Sequence, residues 1–382
     1  YRHNGTAWAQ ESVITGPDAS AQFGTSVAIK SRMIIVGAPS FSSGAGKVYI
    51  YRYSKASGWT SNYTYTFAAG TTGGLGKRVS ISDNLAVTSS GPSTTYTKGA
   101  VHVFRFNTSS WDASPLSNLV PSDATNLPAS SSTVAVSTYS IVTGTAPVAI
   151  SGDNVLFANP IHSGSPAVTN GGMAYFQNGF LHSTNETVLQ AAEAAMGSTS
   201  GKVAVSNYYA AATSYSASTR GMNTYSWTGG TWSLMSKITN AGMTTFANGD
   251  LAMWNDLLIV GSKTETSGAY TNFGKVSIYR KDGAAATWTL QQDITPTSLG
   301  TSDTNFGNSV DIYGDVAAIG AATWSRVDMY RYSPVSTTWT LENSINATNF
   351  YVMDVSLYEN YVAITSLNST FTVCSLDVFR KP

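Results

Sequence analysis

One phrase recurs along this chain, and one copy of it is divided between the two termini. Phe23-Gly24-Thr25-Ser26-Val27-Ala28-Ile29 leads into Ile34-Ile35-Val36-Gly37-Ala38-Pro39, then Gly46-Lys47-Val48-Tyr49-Ile50-Tyr51-Arg52, then Trp59. The same order returns as Phe306-Gly307-Asn308-Ser309-Val310-Asp311-Ile312, Val316-Ala317-Ala318-Ile319-Gly320-Ala321, Arg326-Val327-Asp328-Met329-Tyr330-Arg331 and Trp339. A phrase of this length returning every ~45–60 residues predicts an array of like units, each too small to bury its own apolar face.

Each unit reads as four strands. The first alternates apolar residues: Val27/Ile29, Val79/Ile81, Val148/Ile150, Val203/Val205, Leu251/Met253, Val310/Ile312 and Val355/Leu357. Alternation places each pair on one face of a sheet. Polar turns such as Asn255-Asp256, Gly314-Asp315 and Glu359-Asn360 follow, and their residue types tolerate positive φ. A nearly continuous apolar run comes next, as in Leu257-Leu258-Ile259-Val260, which is the pattern of a strand covered on both faces. The third strand carries Val-x-Ile-Tyr-Arg, and the fourth runs from Trp to an Ile six residues on: Trp232 to Ile238, Trp288 to Ile294, Trp339 to Ile345. Seven first-strand pairs predict seven four-stranded blades. The last blade lacks its Trp strand, and Trp8-Ala9-Gln10-Glu11-Ser12-Val13-Ile14 supplies one at the other end of the chain. The expected fold is therefore an all-β, seven-bladed propeller over residues 1–382 as one domain. Residues 1–16 would complete the last blade and close the ring. Residues 112–147 and 206–219, rich in small side chains, read as loop-like excursions, and Gln190–Met196 as a marginal helix.

Phe-Gly-x-Ser-Val, Val-Gly-Ala-Pro and Gly-Lys-Val-Tyr-Ile-Tyr together resemble the FG-GAP repeat, which builds the propeller of integrin α subunits and of many secreted or surface proteins. The resemblance is sharp over 23–52 and weaker elsewhere, and the blades together span nearly the whole chain. It implies a propeller and an extracellular setting without naming a ligand. Many members carry an Asp-x-Asp-x-Asp-Gly calcium loop between the first two strands, because hard cations need several oxygen ligands. Here the turns Lys30-Ser31-Arg32, Ser82-Asp83-Asn84, Ser206-Asn207-Tyr208, Asn255-Asp256 and Gly314-Asp315 offer at most one carboxylate each. No metal and no cofactor is expected.

Composition narrows function further. Only 11% of residues are charged and the net charge is zero, which argues against nucleic acid as a partner. No apolar stretch reaches the ~20 residues of a membrane span. The first residue is Tyr1, as expected of a processed or trimmed chain. Cys374 is the single cysteine, expected to be buried and inert. His3, His102, His162 and His182 show no metal-ligand spacing, and alternation predicts His102 on an exposed face. Gly73-Gly74-Leu75-Gly76-Lys77 lacks the remainder of a phosphate loop and reads as a Leu-Gly form of Phe-Gly. Asp311 and Asp354 on first strands are the one pair open to acid/base work. More often such acids line a water-filled channel, so no catalytic residue is assigned.

Six Asn-x-Ser/Thr sequons, at Asn4, Asn62, Asn107, Asn185, Asn346 and Asn368, are candidate N-glycosylation sites. The leading expectation is a non-enzymatic extracellular structural or adhesive glycoprotein. It would associate with itself, in filaments or layers, or with another extracellular protein or glycan. The alternative is a lectin-like module using its Trp and Tyr rings.

Overall fold

The computed structural model describes residues 8–382 except 19, 67–72, 92–99, 108, 116, 120–147, 152–153, 160–172, 179–185, 190–201, 216–219, 229–230, 267–270, 284–286, 297–303, 371–372 and 382. Its strands are β1 (Ala9–Thr15), β2 (Val27–Lys30), β3 (Met33–Ala38), β4 (Lys47–Ser54), β5 (Gly58–Thr66), β6 (Val79–Ile81), β7 (Leu85–Ser90), β8 (Ala100–Asn107), β9 (Ser110–Trp111) and β10 (Ser117–Leu119). Next come β11 (Val148–Ser151), β12 (Asn154–Asn159), β13 (Met173–Asn178), β14 (Glu186–Leu189), β15 (Val203–Val205), β16 (Tyr209–Tyr215), β17 (Arg220–Thr228), β18 (Thr231–Ile238), β19 (Leu251–Trp254) and β20 (Leu257–Ser262). The chain finishes with β21 (Lys275–Lys281), β22 (Trp288–Ile294), β23 (Phe306–Tyr313), β24 (Val316–Ala321), β25 (Arg326–Ser333), β26 (Thr338–Asn346), β27 (Tyr351–Tyr358), β28 (Tyr361–Leu367) and β29 (Cys374–Arg380).

Antiparallel meanders account for the sheets. Among the described residues, six are four-stranded: β2–β5, β11–β14, β15–β18, β19–β22, β23–β26, and β27-β28-β29 joined by β1. The expected seven four-stranded blades are therefore corrected to six. The sheet built on β6, β7 and β8 differs because its outer strand is broken into β9 and β10, each paired with β8. Pro115 falls in the break, where it has no N–H to donate to a ladder. β1 pairs antiparallel with β29, Ala9 opposite Arg380 and Thr15 opposite Ser375.

The alternate apolar pairs face inward, Val27 and Ile29 at 5% exposure each and Val310 and Ile312 at 2%. Burying one such side chain is worth about 1.5–3 kcal/mol. Second strands such as β3, β7, β20 and β24 are buried along their whole length. The third strands correct the reading of His102. It is fully buried, with Nε2 2.8 Å from Ser90 Oγ. Its counterparts Tyr49, Asn223, Ser277, Asp328 and Asp377 are buried too. A strand inside a stack of sheets has protein on both faces, so its polar alternation marks internal hydrogen bonds rather than solvent. A second correction concerns 206–219. Residues 209–215 form β16, paired with β15 and β17. Ala210, Ala211, Ala212 and Thr213 in it are buried, so this small-residue run lies inside the protein as a strand. Of 112–147, residues 117–119 are β10 and 120–147 lie outside the described residues, as does Gln190–Met196.

The glycines of the repeated phrase meet one another. A Cβ on Gly37 would collide with the carbonyl of Gly76, and one on Gly261 with the carbonyl of Gly307. The Gly of one unit's second strand thus receives the backbone of the Phe-Gly or Leu-Gly that opens the next, an approach no side chain permits.

Outer strands share a bulge. The register skips Glu11, Met235, Gln291 and Glu342, each the third residue after a buried Trp. A bulge re-aims the residue it displaces. Glu11 accepts from Trp59 Nε1 at 3.2 Å and Gln291 from Trp339 Nε1 at 3.3 Å, so one outer strand holds the Trp of the following sheet.

The chain divides into two compact units: unit 1 (1–36, 51–61 and 240–382) and unit 2 (37–50 and 62–239).

Candidate binding face

In unit 1, Asp311 and Asp354 are committed to main-chain donors. Asp311 Oδ2 accepts from Leu357 N at 2.6 Å and Ser356 Oγ at 3.1 Å, and Oδ1 accepts from Ile312 N at 2.8 Å. Asp354 accepts from Val27 N at 2.8 Å and Val355 N at 3.1 Å, and Ser356 Oγ accepts from Ile29 N at 3.0 Å. A first strand has one edge that no strand covers, and these side chains satisfy its N–H groups from the adjacent first strand. Burial pushes the Asp311 carboxyl up to about 7, outweighing the hydrogen bonds from Leu357, Ile312 and Ser356 that lower it, with Asp250 adding repulsion. The residue keeps some solvent contact, which moderates the stability at stake. With their oxygens engaged in this way, the pair serves to tie first strands together.

The end of unit 1 that carries the turns between first and second strands has a different chemistry. Trp254, Tyr313, Tyr358 and Lys30 occupy one register position, the last residue of β19, β23, β27 and β2, opposite Leu257, Val316, Tyr361 and Met33. All four are half-buried. Ring centroids lie 5.5 Å apart for Trp254–Tyr313 and 4.9 Å for Tyr313–Tyr358, and Lys30 Nζ sits 4.6 Å over the Tyr358 ring. Trp254 and Tyr313 rest on the cores containing Val310 and Val355 respectively, so the arc is a supported aromatic surface with its outer part open to solvent.

A second row lies beside it. Tyr53, Trp59 and Tyr361 form a mutual cluster with centroids 5.5–6.3 Å apart. Arg380 lies over Tyr361 at 5.4 Å and Arg280 over Tyr332 at 5.3 Å. One recurring hydrogen bond fixes this layout: the residue near the end of each third strand donates its N–H to the second residue of the turn. Tyr53 N bonds Arg32 O at 2.9 Å, while Lys281 N–Asp256 O, Tyr332 N–Asp315 O and Lys381 N–Asn360 O are each 2.8 Å. The turns themselves are evident in the sequence, but the arc is not. The signal was the residue just before each turn, which shows only when the turns are aligned.

The sequons are dispersed. Asn62 on β5 and Asn346 at the end of β26 are exposed. Asn107 is exposed, with its amide donating to Asp112, and Asn368 is half-buried, with Oδ1 accepting from Val373 N at 3.1 Å. Asn4 and Asn185 lie outside the described residues, as do His3, His162 and His182. Cys374 is half-buried, and burial raises its thiol pKa, holding it protonated at neutral pH. Among the described residues, no group of three or more His, Cys, Asp or Glu is placed to hold a metal ion, and no helix is long and apolar enough to cross a membrane.

Successive four-stranded antiparallel blades with a turn-bearing end define an all-β propeller. Solved structures agree at the level of fold. The WD40 propeller domain of Doa1 shares 11% identity at a TM-score of 0.54, covering 99% of this chain and 98% of that one. The WD40 repeats of RRP9 share 7% at 0.56, covering 97% and 100%. A Bacteroides uniformis protein described as a candidate 6-phosphogluconolactonase shares 10% at 0.51, covering 85% of each. No curated protein matches the chain in sequence. Residues 8–51 and 288–329 match the FG-GAP repeat, so the chain carries FG-GAP repeats on a β-propeller fold. That combination suggests a protein-binding or adhesion-type module; FG-GAP repeat propellers are generally non-enzymatic and typically extracellular.

Proposed function

We propose that this chain is a non-enzymatic, extracellular structural or adhesive glycoprotein that engages its partner through the turn-bearing end of unit 1. The observation that carries this reading is the arc of Trp254, Tyr313, Tyr358 and Lys30 at equivalent positions of successive blades. Half-buried rings on rigid strands lose little conformational freedom on binding, which favours them as anchors. The commitment of Asp311 and Asp354 to main-chain N–H groups supports a non-enzymatic role. Exposed sequons at Asn62, Asn107 and Asn346 leave room for glycans. A mass spectrum of native material reports their occupancy.

The test is adhesion of chain-coated beads to protein- and glycan-coated surfaces, comparing wild type with Tyr313→Ser/Tyr358→Ser. Lost adhesion with an unchanged fold supports the face, and undiminished adhesion refutes it. A lectin-like module is the second reading, favoured by the open rings, and selective retention on a glycan array distinguishes it. Low charge and zero net charge also favour self-association. Filaments or layers seen by electron microscopy of concentrated native material support that element, and uniform single particles reject it.

A further inference from the structure

One local departure from the repeat is electrostatic. In two sheets of unit 1, the Arg near the end of the third strand is neutralised by an acid in the turn it crosses. Arg280 Nη1 lies 3.0 Å from Asp256, and Arg331 Nη1 lies 2.6 Å from Asp315. The recurring hydrogen bond from the next residue to that turn makes Arg52 and Arg380 the counterparts of those arginines, and Arg32 and Asn360 the counterparts of the acids. Arg380 thus meets a neutral turn residue, and Arg52 a turn bearing a second arginine.

Lys30 adds another cation two residues before Arg32. Among the described residues neither Lys30, Arg32 nor Arg380 has a carboxylate at ion-pair distance. Arg32, Arg52 and Arg380 are exposed. The rings between them are Tyr358, Tyr361, Tyr53 and Trp59, joined by the Tyr53–Tyr361 contact at 6.3 Å. Two acids lie nearby. Glu11 accepts from Trp59 Nε1, and its negative charge acts on Tyr361 together with the positive charges of Arg380 and Arg32. Glu359 is exposed in its turn, and the cations outnumber the two acids. In a chain with 21 basic and 21 acidic residues overall, this is a local excess of positive charge set among aromatic faces.

We infer that this corner, formed by Lys30, Arg32 and Arg380 around Tyr358 and Tyr361, is a binding site for an acidic saccharide of the uronate class. Guanidinium groups bind carboxylates through paired N–H donors. The C–H face of a pyranose is apolar and weakly positive, and it packs against the negative face of an aromatic ring. An acidic peptide offers the carboxylates without a flat ring to cover the tyrosines, so the saccharide is the better match. The inference rests on the adhesive reading above and names the ligand class of that face.

The test is calorimetric titration of the intact chain with oligogalacturonate, with neutral oligogalactose and with polyglutamate. Oligogalacturonate is expected to bind, more weakly at high salt, and neutral oligogalactose to bind at least tenfold more weakly. Arg32→Asp installs the acid that neighbouring sheets already have. It is expected to pair with Arg52, hold or raise the melting temperature, and weaken oligogalacturonate at least tenfold. Arg32→Lys is expected to retain most of the binding. Silence toward oligogalacturonate, unchanged binding in Arg32→Asp, or equal binding of polyglutamate would overturn the assignment. The bead assay judges adhesion independently: Tyr313→Ser/Tyr358→Ser abolishing adhesion to a neutral or protein surface would leave the adhesive reading standing without the acidic ligand.

Discussion

At the register position that ends each first strand, the two compact units differ completely. Unit 1 has Trp254, Tyr313, Tyr358 and Lys30, whereas unit 2 has Ser82, Ser151 and Ser206. The backbone is the same in kind: Ser82 N bonds Leu85 O and Ser206 N bonds Tyr209 O, each at 2.8 Å, closing the turns. A serine there serves local turn chemistry, as Ser206 Oγ does in reaching Tyr209 O. An aromatic residue adds nothing the turn requires and places a ring at the surface. The difference separates what the repeat needs in order to fold from what unit 1 carries in addition.

The comparison is tested most severely by removing residues 1–16. β29 then loses β1 and presents an open edge, and loss of a cooperative melt with aggregation is expected in calorimetry. An unchanged melting temperature would show that β1 is dispensable. Next in size is Gly261→Ala in unit 1 against Gly37→Ala in unit 2. Both set a methyl group against backbone, so each is expected to cost about 3 kcal/mol in chemical denaturation. A large effect in one unit alone would break the idea of a shared scaffold.

Swapping the register residues sharpens the contrast. Tyr358→Ser is expected to lower stability by about 1 kcal/mol while removing adhesion, whereas Ser206→Tyr leaves adhesion unchanged. The pH dependence is smaller. Asp311 has its carboxyl raised to about 7 in the folded chain, against about 3.9 unfolded. Its stabilising contribution is therefore full below pH ~4 and is lost as pH rises toward 7. Asp311→Asn keeps an acceptor for Leu357 N and should flatten melting temperature against pH over that window, a difference on the order of 1 kcal/mol after screening. A parallel profile would place the titrating group elsewhere. Smallest of all, EDTA is expected to leave the melting temperature unchanged, since among the described residues no turn supplies a set of carboxylates. A drop of several degrees would reveal ligands converging from separate loops.

Much of the architecture was legible because strand alternation and the Trp-to-Ile spacing are local. Val310/Ile312 and Trp339/Ile345 fall on the strands expected of them and are buried. His102 was misread because alternation reports which face a residue takes, and in stacked sheets neither face need be wet. β16 was missed because a run of small residues has the composition of a loop even when, as at Ala210, Ala211 and Ala212, it is buried in a strand, and the break around Pro115 was not weighed against the Trp strand. The candidate binding face was harder to see for another reason. Its signal is a difference between repeats, Arg32 where Asp256 and Asp315 stand, and a difference has no pattern until the hydrogen bonds supply the alignment.

The glycine contacts carry a consequence for how such a chain can change over generations. Gly37 is shaped by Gly76 and Gly261 by Gly307, so each interlocking pair spans the boundary between one phrase and the next. A duplication or loss that begins mid-phrase leaves one half of the interlock facing a stranger. The heritable module is thus offset from the visible phrase, running from one Gly-bearing strand to the next. Turn residues such as the exposed Arg32 lie outside that interlock and are free to diverge without disturbing it.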